Sequence, residues 1–272
     1  MGPSPMPPPV PAPRAERPRG LVGRVLTGVL CLALLAACAS DGTGPTRASA
    51  PERLRAHLDL ANGYYETGDL ARAKKPLEFA LEIDPRSWEA NNLLGRIYQR
   101  EGEAELAERH FRIAVRSAPE NARVRNDYGV FLYQQQRYGD ARSQLRVAVQ
   151  DPDNPLRSVA YENLGLASLA VGDREAAREA FARAVTLDPR TATSLLELAL
   201  LDFGDGEFAQ AARWYDRYRD VARQSPRSLW LGIRLARVAG DQDALASYAL
   251  QLRNLYPYSD EYRLYRESVA DG

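Results

Sequence analysis

The sequence predicts an all-α protein, a right-handed superhelix of about six helix hairpins followed by a C-terminal capping helix. Three observations lead to this prediction. Apolar and small residues recur with a period near 34 residues between residues 51 and 258. Each period holds two amphipathic segments joined by a short polar turn, as in residues 126–148. Each period also closes with a proline, which cannot continue a helix. A hairpin of this size cannot bury its apolar face alone, so neighbouring hairpins must stack.

Four positions recur in the six units, and each has a physical reason. A small residue on the first helix lets the two backbones approach closely, at Ala61, Gly95, Gly129, Gly165, Ala199 and Gly232. The second helix meets it with an alanine, at Ala73, Ala107, Ala141, Ala177, Ala211 and Ala244. Four residues later a large side chain fills the space between hairpins, at Leu77, Phe111, Leu145, Phe181, Tyr215 and Tyr248. The closing prolines are Pro85, Pro119, Pro152, Pro189, Pro226 and Pro257. This pattern is that of the tetratricopeptide (TPR) repeat.

The turns and the irregularities complete the predicted architecture. Most units have a Gly-Asp or Gly-Glu turn, whose glycine tolerates the left-handed conformation and whose acid suits the start of the next helix. In the sixth unit the turn is displaced by about one residue relative to Gly232. Residues 151–157 add about two residues after the third unit, so we expect an altered pitch and a division into halves there. Residues 259–272 are predicted to form a capping helix and tail, with Ser259 as N-cap.

Composition and charge limit the classes of function. The 272 residues have a mean hydropathy of −0.43 and a formal net charge of zero, which is typical of a soluble repeat protein. Removal of residues 1–37 leaves a net charge of −3, so there is no electrostatic footprint for nucleic acid. The two cysteines and two histidines are too few and too scattered for a disulfide framework or a metal site. No motif for a nucleophile, a phosphate loop or a cofactor is present, so we expect no enzyme, no cofactor and no small-molecule substrate.

The first fifty residues are predicted to direct and anchor the protein. Residues 1–37 have a Pro/Arg-rich leader, a short apolar run and small residues before a cut, as in a secretory signal peptide. The sequence Leu-Ala-Ala-Cys at residues 35–38 resembles the lipobox of bacterial lipoproteins. This resemblance implies that Cys38 is lipidated, anchors the chain to a membrane and is followed by a flexible tether over residues 38–50. The alternative is an ordinary signal peptide with a chance cysteine. Ala39, rather than an aspartate, favours the outer membrane, with the protein facing the periplasm.

The first helices of the hairpins are predicted to line a concave groove. Its later part is largely apolar, with Val130, Tyr133, Leu166, Leu169, Leu196, Leu200, Phe203 and Trp230. Such residues indicate a surface for a partner; alternatively, tight curvature buries them against the adjacent repeat. Its earlier part is polar, with Asn62, Asn92, Arg96 and Asn126. This polar set is similar to a clamp for a terminal carboxylate, but Leu58 and Asp127 stand where bases are needed, so solvated lining is expected.

Several strings resemble one family. They are Asn-Asp-Tyr-Gly-Val-Phe-Leu at residues 126–132, Tyr-Glu-Asn-Leu-Gly at residues 161–165 and Ser-Leu-Trp-Leu-Gly-Ile-Arg at residues 228–234. With the lipobox, they are similar to the type IV pilus biogenesis and stability lipoproteins of the PilW/PilF family. The resemblance implies a pilotin, which binds the pilus secretin subunit and promotes its localisation or multimerisation in the outer membrane. The alternative is a lipidated TPR scaffold for another envelope pathway, such as β-barrel assembly or peptidoglycan synthesis.

Overall fold

The computed structural model describes residues 48–270, which form thirteen α-helices and contain no strand. The first six helices are α1 (Ala50–Glu66), α2 (Leu70–Ile83), α3 (Trp88–Glu101), α4 (Ala104–Ser117), α5 (Ala122–Gln134) and α6 (Tyr138–Ala148). The remaining seven are α7 (Arg157–Ala170), α8 (Arg174–Leu187), α9 (Ala192–Gly204), α10 (Phe208–Val221), α11 (Pro226–Ala239), α12 (Gln242–Leu255) and α13 (Asp260–Ala270). The predicted signal peptide, the lipidated Cys38 and most of the tether lie outside the described residues.

Helices α1 to α12 pack in consecutive pairs, so the described chain holds six helix hairpins. We call the first helix of each hairpin its A helix and the second its B helix. Each A helix also contacts the A helix of the next hairpin, which forms a continuous row from α1 to α11. Helix α13 extends this row, because it packs against α11 and α12 through Tyr262 and Tyr265. The predicted all-α TPR fold is confirmed.

The turns between A and B helices explain where the helices end. Five of them have a glycine in the left-handed region, with φ between 71° and 82°. In the third hairpin the same place is taken by Gln136, whose φ is 59°. A side chain with a Cβ adopts this conformation at a cost, so the third turn is less favourable than the others. The aspartate after the glycine then caps the B helix, as when the Asp173 side chain accepts a hydrogen bond from the Ala176 N–H.

Each of the first five hairpins is held together by a small residue on its A helix and a large one on its B helix. A Cβ added at Gly95 would lie 2.8 Å from the Phe111 ring, and one at Gly165 would lie 2.5 Å from the Phe181 ring. Both phenylalanines are completely buried. The glycines are therefore required by the close approach of the two helices.

The sixth hairpin corrects the predicted register. Its turn glycine is Gly240, as in the other hairpins. Counted back from that turn, the small-residue position is Ile233 rather than Gly232, and the large-residue position is Ala249 rather than Tyr248. Ile233 and Ala249 lie in one buried cluster. The two side chains have exchanged sizes across the same interface, so the repeat keeps its spacing and the turn is not displaced.

Two further predictions are corrected. Pro226 does not close α10; it begins α11, where its missing N–H would be unpaired in any case. Residues 149–156 do not divide the array, because α6 and α7 pack against each other and Ala167 shares a buried cluster with Phe131 and Leu145. From residue 50 on, the described residues form one compact unit.

Candidate protein-binding surface

The row of A helices presents one face that carries the predicted groove residues. These side chains recur at the same four places on each A helix, so the contacts between consecutive A helices bring them into one strip. The strip has a polar part on α1, α3 and the start of α5, and an apolar part from the end of α5 to α11.

The polar part is largely satisfied by its own hydrogen bonds. Asn92 is buried, with 3% of its surface exposed, and its Nδ2 donates to Asp127 Oδ2 at 2.7 Å. Asn126 accepts from Asn163 Nδ2 at 3.0 Å, across α5 and α7. Asn62 donates to the Leu58 carbonyl within its own helix. These amides join neighbouring A helices or their own helix, so we assign them to the scaffold.

Arg96 is also engaged within the protein. Its guanidinium carbon lies 4.5 Å from the centre of the Tyr65 ring, and its Nε lies 3.8 Å from Asp127 Oδ2. A small cleft remains between Arg96, Arg123 and Trp88. Asp127 already balances this arginine, so Arg96 is not a free base of the kind that a carboxylate clamp needs.

The apolar part is only partly covered by the protein. Leu166, Leu169, Leu200 and Phe203 are half-buried and pack on the edge of the largest core cluster. Leu196 is 8% exposed and lies inside that cluster, so the predicted groove position Leu196 is corrected to a core position. The alternative of burial by curvature therefore holds for Leu196 but not for its neighbours.

The α5 side of the apolar part is continuous with α7. Val130, Tyr133 and Leu166 line one small cleft together with Asn163 and Leu145. Val159, at the start of α7, is 42% exposed. We call the set of accessible apolar side chains the apolar stripe: Val130, Tyr133, Val159, Leu166, Leu169, Leu200, Phe203 and Trp230.

Two aromatic rings of the apolar stripe are held in the same way. Tyr133 meets Tyr138 edge to face with ring centres 5.1 Å apart, and Phe203 meets Phe208 with the same separation and an equal interplanar angle of 61°. In both cases the partner is the first residue of the following B helix. Edge-to-face pairs of this kind restrain the rings. The apolar stripe is therefore a preformed surface.

Charges beside the apolar stripe are mostly paired. The Glu197 carboxylate is 4% exposed and forms an ion pair with Arg227, which joins α9 to α11. Burial raises the pKa of Tyr133, and the charges of Glu197 and Arg227 also act on this hydroxyl. Side chains of the third, fifth and sixth hairpins thus come close together along the A-helix row.

Sequence reasoning missed two residues of this surface. In the register set by the Gly240 turn, Arg234 and Arg237 occupy the third and fourth inward places of α11, beside Trp230. The Arg234 guanidinium carbon lies 4.5 Å from the centre of the Phe203 ring and 5.6 Å from that of Trp230. Alignment of the sixth unit on its turn, instead of on Gly232, is the signal that identifies them.

The remaining titratable groups belong to the scaffold. His110 is 7% exposed, bonds through Nδ1 to Asn91 Oδ1 at 3.0 Å and stacks on Tyr98. Burial lowers its pKa from 6.5 to about 4. Residues 48–270 hold no cluster of three metal-ligating side chains. No helix among these residues is long and apolar enough to span a membrane.

Comparison with known proteins agrees with this architecture. A family model of the tetratricopeptide repeat matches residues 58–108, 93–155 and 163–228. The chain is 44% identical over 208 residues to the Type IV pilus assembly protein PilF of Pseudomonas aeruginosa, an alignment that covers 76% of this chain and 82% of that protein. A solved structure of Pseudomonas aeruginosa PilF superposes with a TM-score of 0.77 at 42% identity and covers 80% of this chain and 99% of that one. The crystal structure of PilW, described as a widely conserved type IV pilus biogenesis factor, superposes with a TM-score of 0.67 at 27% identity and covers 78% of this chain and 97% of that one.

The fold and the partly uncovered A-helix row define the class of this protein: it is a TPR protein, a scaffold class that acts through protein–protein contacts and not an enzyme family. The resemblance found in the sequence is confirmed at the level of the family. The chain belongs to the PilW/PilF family.

Proposed function

We propose that this protein is an outer-membrane lipoprotein that acts as a pilotin in type IV pilus biogenesis. It binds the secretin subunit of the pilus and promotes the localisation or multimerisation of that subunit in the outer membrane. Its relatives are named for pilus assembly and biogenesis, which supports a role in the same process. It acts by binding and not by catalysis.

The observation that carries the proposal is the apolar stripe. Half-buried side chains on four consecutive A helices form one preformed surface, which the described chain leaves partly uncovered. A groove of this kind accommodates an amphipathic helix or an extended segment of another polypeptide. The apolar stripe supports the capture of a secretin segment whose apolar side chains are still exposed before assembly.

In this proposal, the lipid anchor at Cys38 holds the protein at the outer membrane. A chain held by two or three acyl groups stays on one leaflet, which raises its effective concentration for a partner at that membrane. The protein would then meet secretin subunits where they insert.

The experiment is a pull-down of the secretin's periplasmic part on immobilised protein. Val159→Glu places a charge on the apolar stripe at a side chain that is already 42% exposed, so the fold is retained. The matched control is Leu250→Glu, an exposed leucine on α12. We expect Val159→Glu to weaken capture by about tenfold, because a charge at an apolar contact must be desolvated, and the control to bind as the wild type does.

A stronger variant changes Leu166, Leu200 and Phe203 together to charged residues. These side chains pack on the core edge, so its helicity and melting curve must first match the wild type. If a folded triple variant captured the secretin at full strength, the stripe would not be the binding surface. Capture of β-barrel assembly or peptidoglycan synthesis proteins, with no capture of secretin, would favour the alternative scaffold.

A further inference from the structure

Arg234 is a half-buried cation that lacks a counter-ion within residues 48–270. Its guanidinium is packed between the rings of Phe203 and Trp230. Its Nε is buried and has no hydrogen-bond partner among those residues. Burial lowers its pKa, but a guanidinium stays charged in proteins. A buried charged donor without a partner is costly, and natural structures seldom retain one without a function.

Several acids on and beside the neighbouring helices form ion pairs with other arginines. On α9, Glu197 pairs with Arg227; Asp202 of α9 and Asp205, the residue after α9, pair with Arg178 of the preceding B helix. On α13, Asp260 and Glu267 both pair with Arg263. None of these ion pairs includes Arg234, so its positive charge is unmatched among residues 48–270.

A second unmatched cation lies beside it. Arg237 has its guanidinium carbon 5.9 Å from the centre of the Trp230 ring and 5.8 Å from that of Tyr265. Its Nη2 donates to Ser268 Oγ at 2.9 Å, and no carboxylate of the described residues lies within ion-pair distance. At the α11 end of the apolar stripe, two arginine side chains therefore lie against aromatic rings.

This arrangement fits a particular ligand group. Guanidinium presents a planar fork of donors that matches a carboxylate, and the flanking rings exclude water from the bond. We propose that Arg234 is the anchor for an aspartate or glutamate side chain within an otherwise apolar segment of the partner, which lies along the apolar stripe. The inference rests on the proposed function and specifies the chemistry of the bound segment.

A side-chain carboxylate is favoured over the terminal carboxylate of a chain. Arg234 does not lie at the end of the A-helix row, because α13 packs against α11 beyond it. Aromatic rings lie on both sides of the two arginines, because Phe203 on α9 contacts Arg234 and Tyr265 on α13 contacts Arg237. A segment that follows this surface passes over Arg234 and continues.

The test uses the full-length protein and two sets of fluorescent peptides. The first set is an overlapping series of short peptides from the secretin sequence, acetylated and amidated so that only side chains carry carboxylates. Each peptide that binds is synthesised again with amides in place of its acids. The second set is a matched pair of Leu/Phe peptides with one central Asp or Asn. Arg234→Met removes the charge and keeps an apolar side chain, and Arg217→Met is the control, since Arg217 stacks on Trp214 at 4.9 Å on the B helix α10.

We expect the wild type and Arg217→Met to prefer the acid over the amide by about tenfold or more, as in other desolvated charge pairs. Arg234→Met should lose this preference and bind the amide peptide as well as the wild type does. Equal affinity of the wild type for acid and amide peptides would overturn the inference. Loss of the preference in Arg217→Met as well would have the same consequence.

Other occupants give distinct results. Binding only of peptides with a free terminal carboxylate would overturn the side-chain assignment. A wild-type dimer that Arg234→Glu converts to a monomer, measured by sedimentation, would identify a second copy as the occupant and also overturn it. If no secretin peptide bound while Arg234 still discriminated the Leu/Phe pair, the site would stand and the secretin assignment would fail.

Discussion

The close packing of Gly165 against Phe181 allows a quantitative test of the repeat architecture. A methyl group at residue 165 would lie 2.5, 2.6 and 2.8 Å from three carbons of the Phe181 ring. Non-bonded carbons prefer about 3.5–4.0 Å, so the ring must move by about 1 Å. Phe181 is fully buried, and protein interiors are close-packed, so such a shift is resisted by its neighbours. Overpacking of this kind costs about 1–3 kcal/mol, against a gain of about 1 kcal/mol from the helix propensity of alanine.

The difference is a loss of about 0–2 kcal/mol, so we expect Gly165→Ala to lower the free energy of unfolding by about 1 kcal/mol. The matched control is Gly63→Ala on α1, where nothing lies within 4 Å of the added methyl, and this change should stabilise by about 0.5–1 kcal/mol. A double variant, Gly165→Ala with Phe181→Leu, reproduces the Ala61/Leu77 pair of the first hairpin and should recover part of the loss.

The assay is urea unfolding followed by far-ultraviolet circular dichroism, with comparison of the slopes because repeat arrays can lose two-state cooperativity. The four combinations form a double-mutant cycle, in which a favourable coupling energy of about 1 kcal/mol is expected. If Gly165→Ala gained as much stability as Gly63→Ala, the assigned role of the small-residue position would be wrong.

Three further predictions concern the turn, the buried histidine and the anchor. Gln136→Gly should raise the free energy of unfolding by about 0.5–1 kcal/mol because it relieves the left-handed turn, whereas Gly172→Ala, at φ 81°, should lower it; unchanged urea midpoints would contradict this. Since the folded-state pKa of His110 is about 4, below its ordinary 6.5, its neutral form contributes stability that is fully present above pH 6.5 and lost as the pH falls toward 4. The loss should reach about 2–3 kcal/mol in urea titrations and disappear in His110→Gln but persist in His57→Gln. Cys38→Ser should leave the protein soluble in the periplasm after fractionation; firm retention in the membrane would exclude the lipid anchor.

The fold could be predicted from the sequence because the same pairing, a small residue on the A helix with a large one on the B helix, recurs in successive repeats. Gly95 with Phe111 and Gly165 with Phe181 are spaced alike, and each pair meets as expected. The sixth hairpin was misaligned because Ile233 and Ala249 exchange sizes, and a search for a small residue therefore selects Gly232. A pattern of residue types does not reveal a compensating exchange, whereas the turn glycine does.

The candidate site was less predictable, since burial depends on how neighbouring repeats curve. Leu196 and Leu200 have the same character in the sequence, yet Leu196 is 8% exposed in the core and Leu200 is half-buried at the surface. Asn92 and Asn126 were candidates for partner contact, but each bonds to a side chain more than thirty residues away. Arg234 was missed because the sixth unit was aligned on Gly232, and because its Nε lacks a hydrogen-bond partner among residues 48–270, which only the arrangement of the helices determines.

The most direct test of the central claim is the amount of multimeric secretin in the outer membrane of a strain that lacks this protein. We expect secretin multimers to fall severely in the deletion strain, the wild-type gene to restore them and the Val159→Glu gene to restore them only weakly. Secretin multimers at the wild-type level in the outer membrane of the deletion strain would contradict the account.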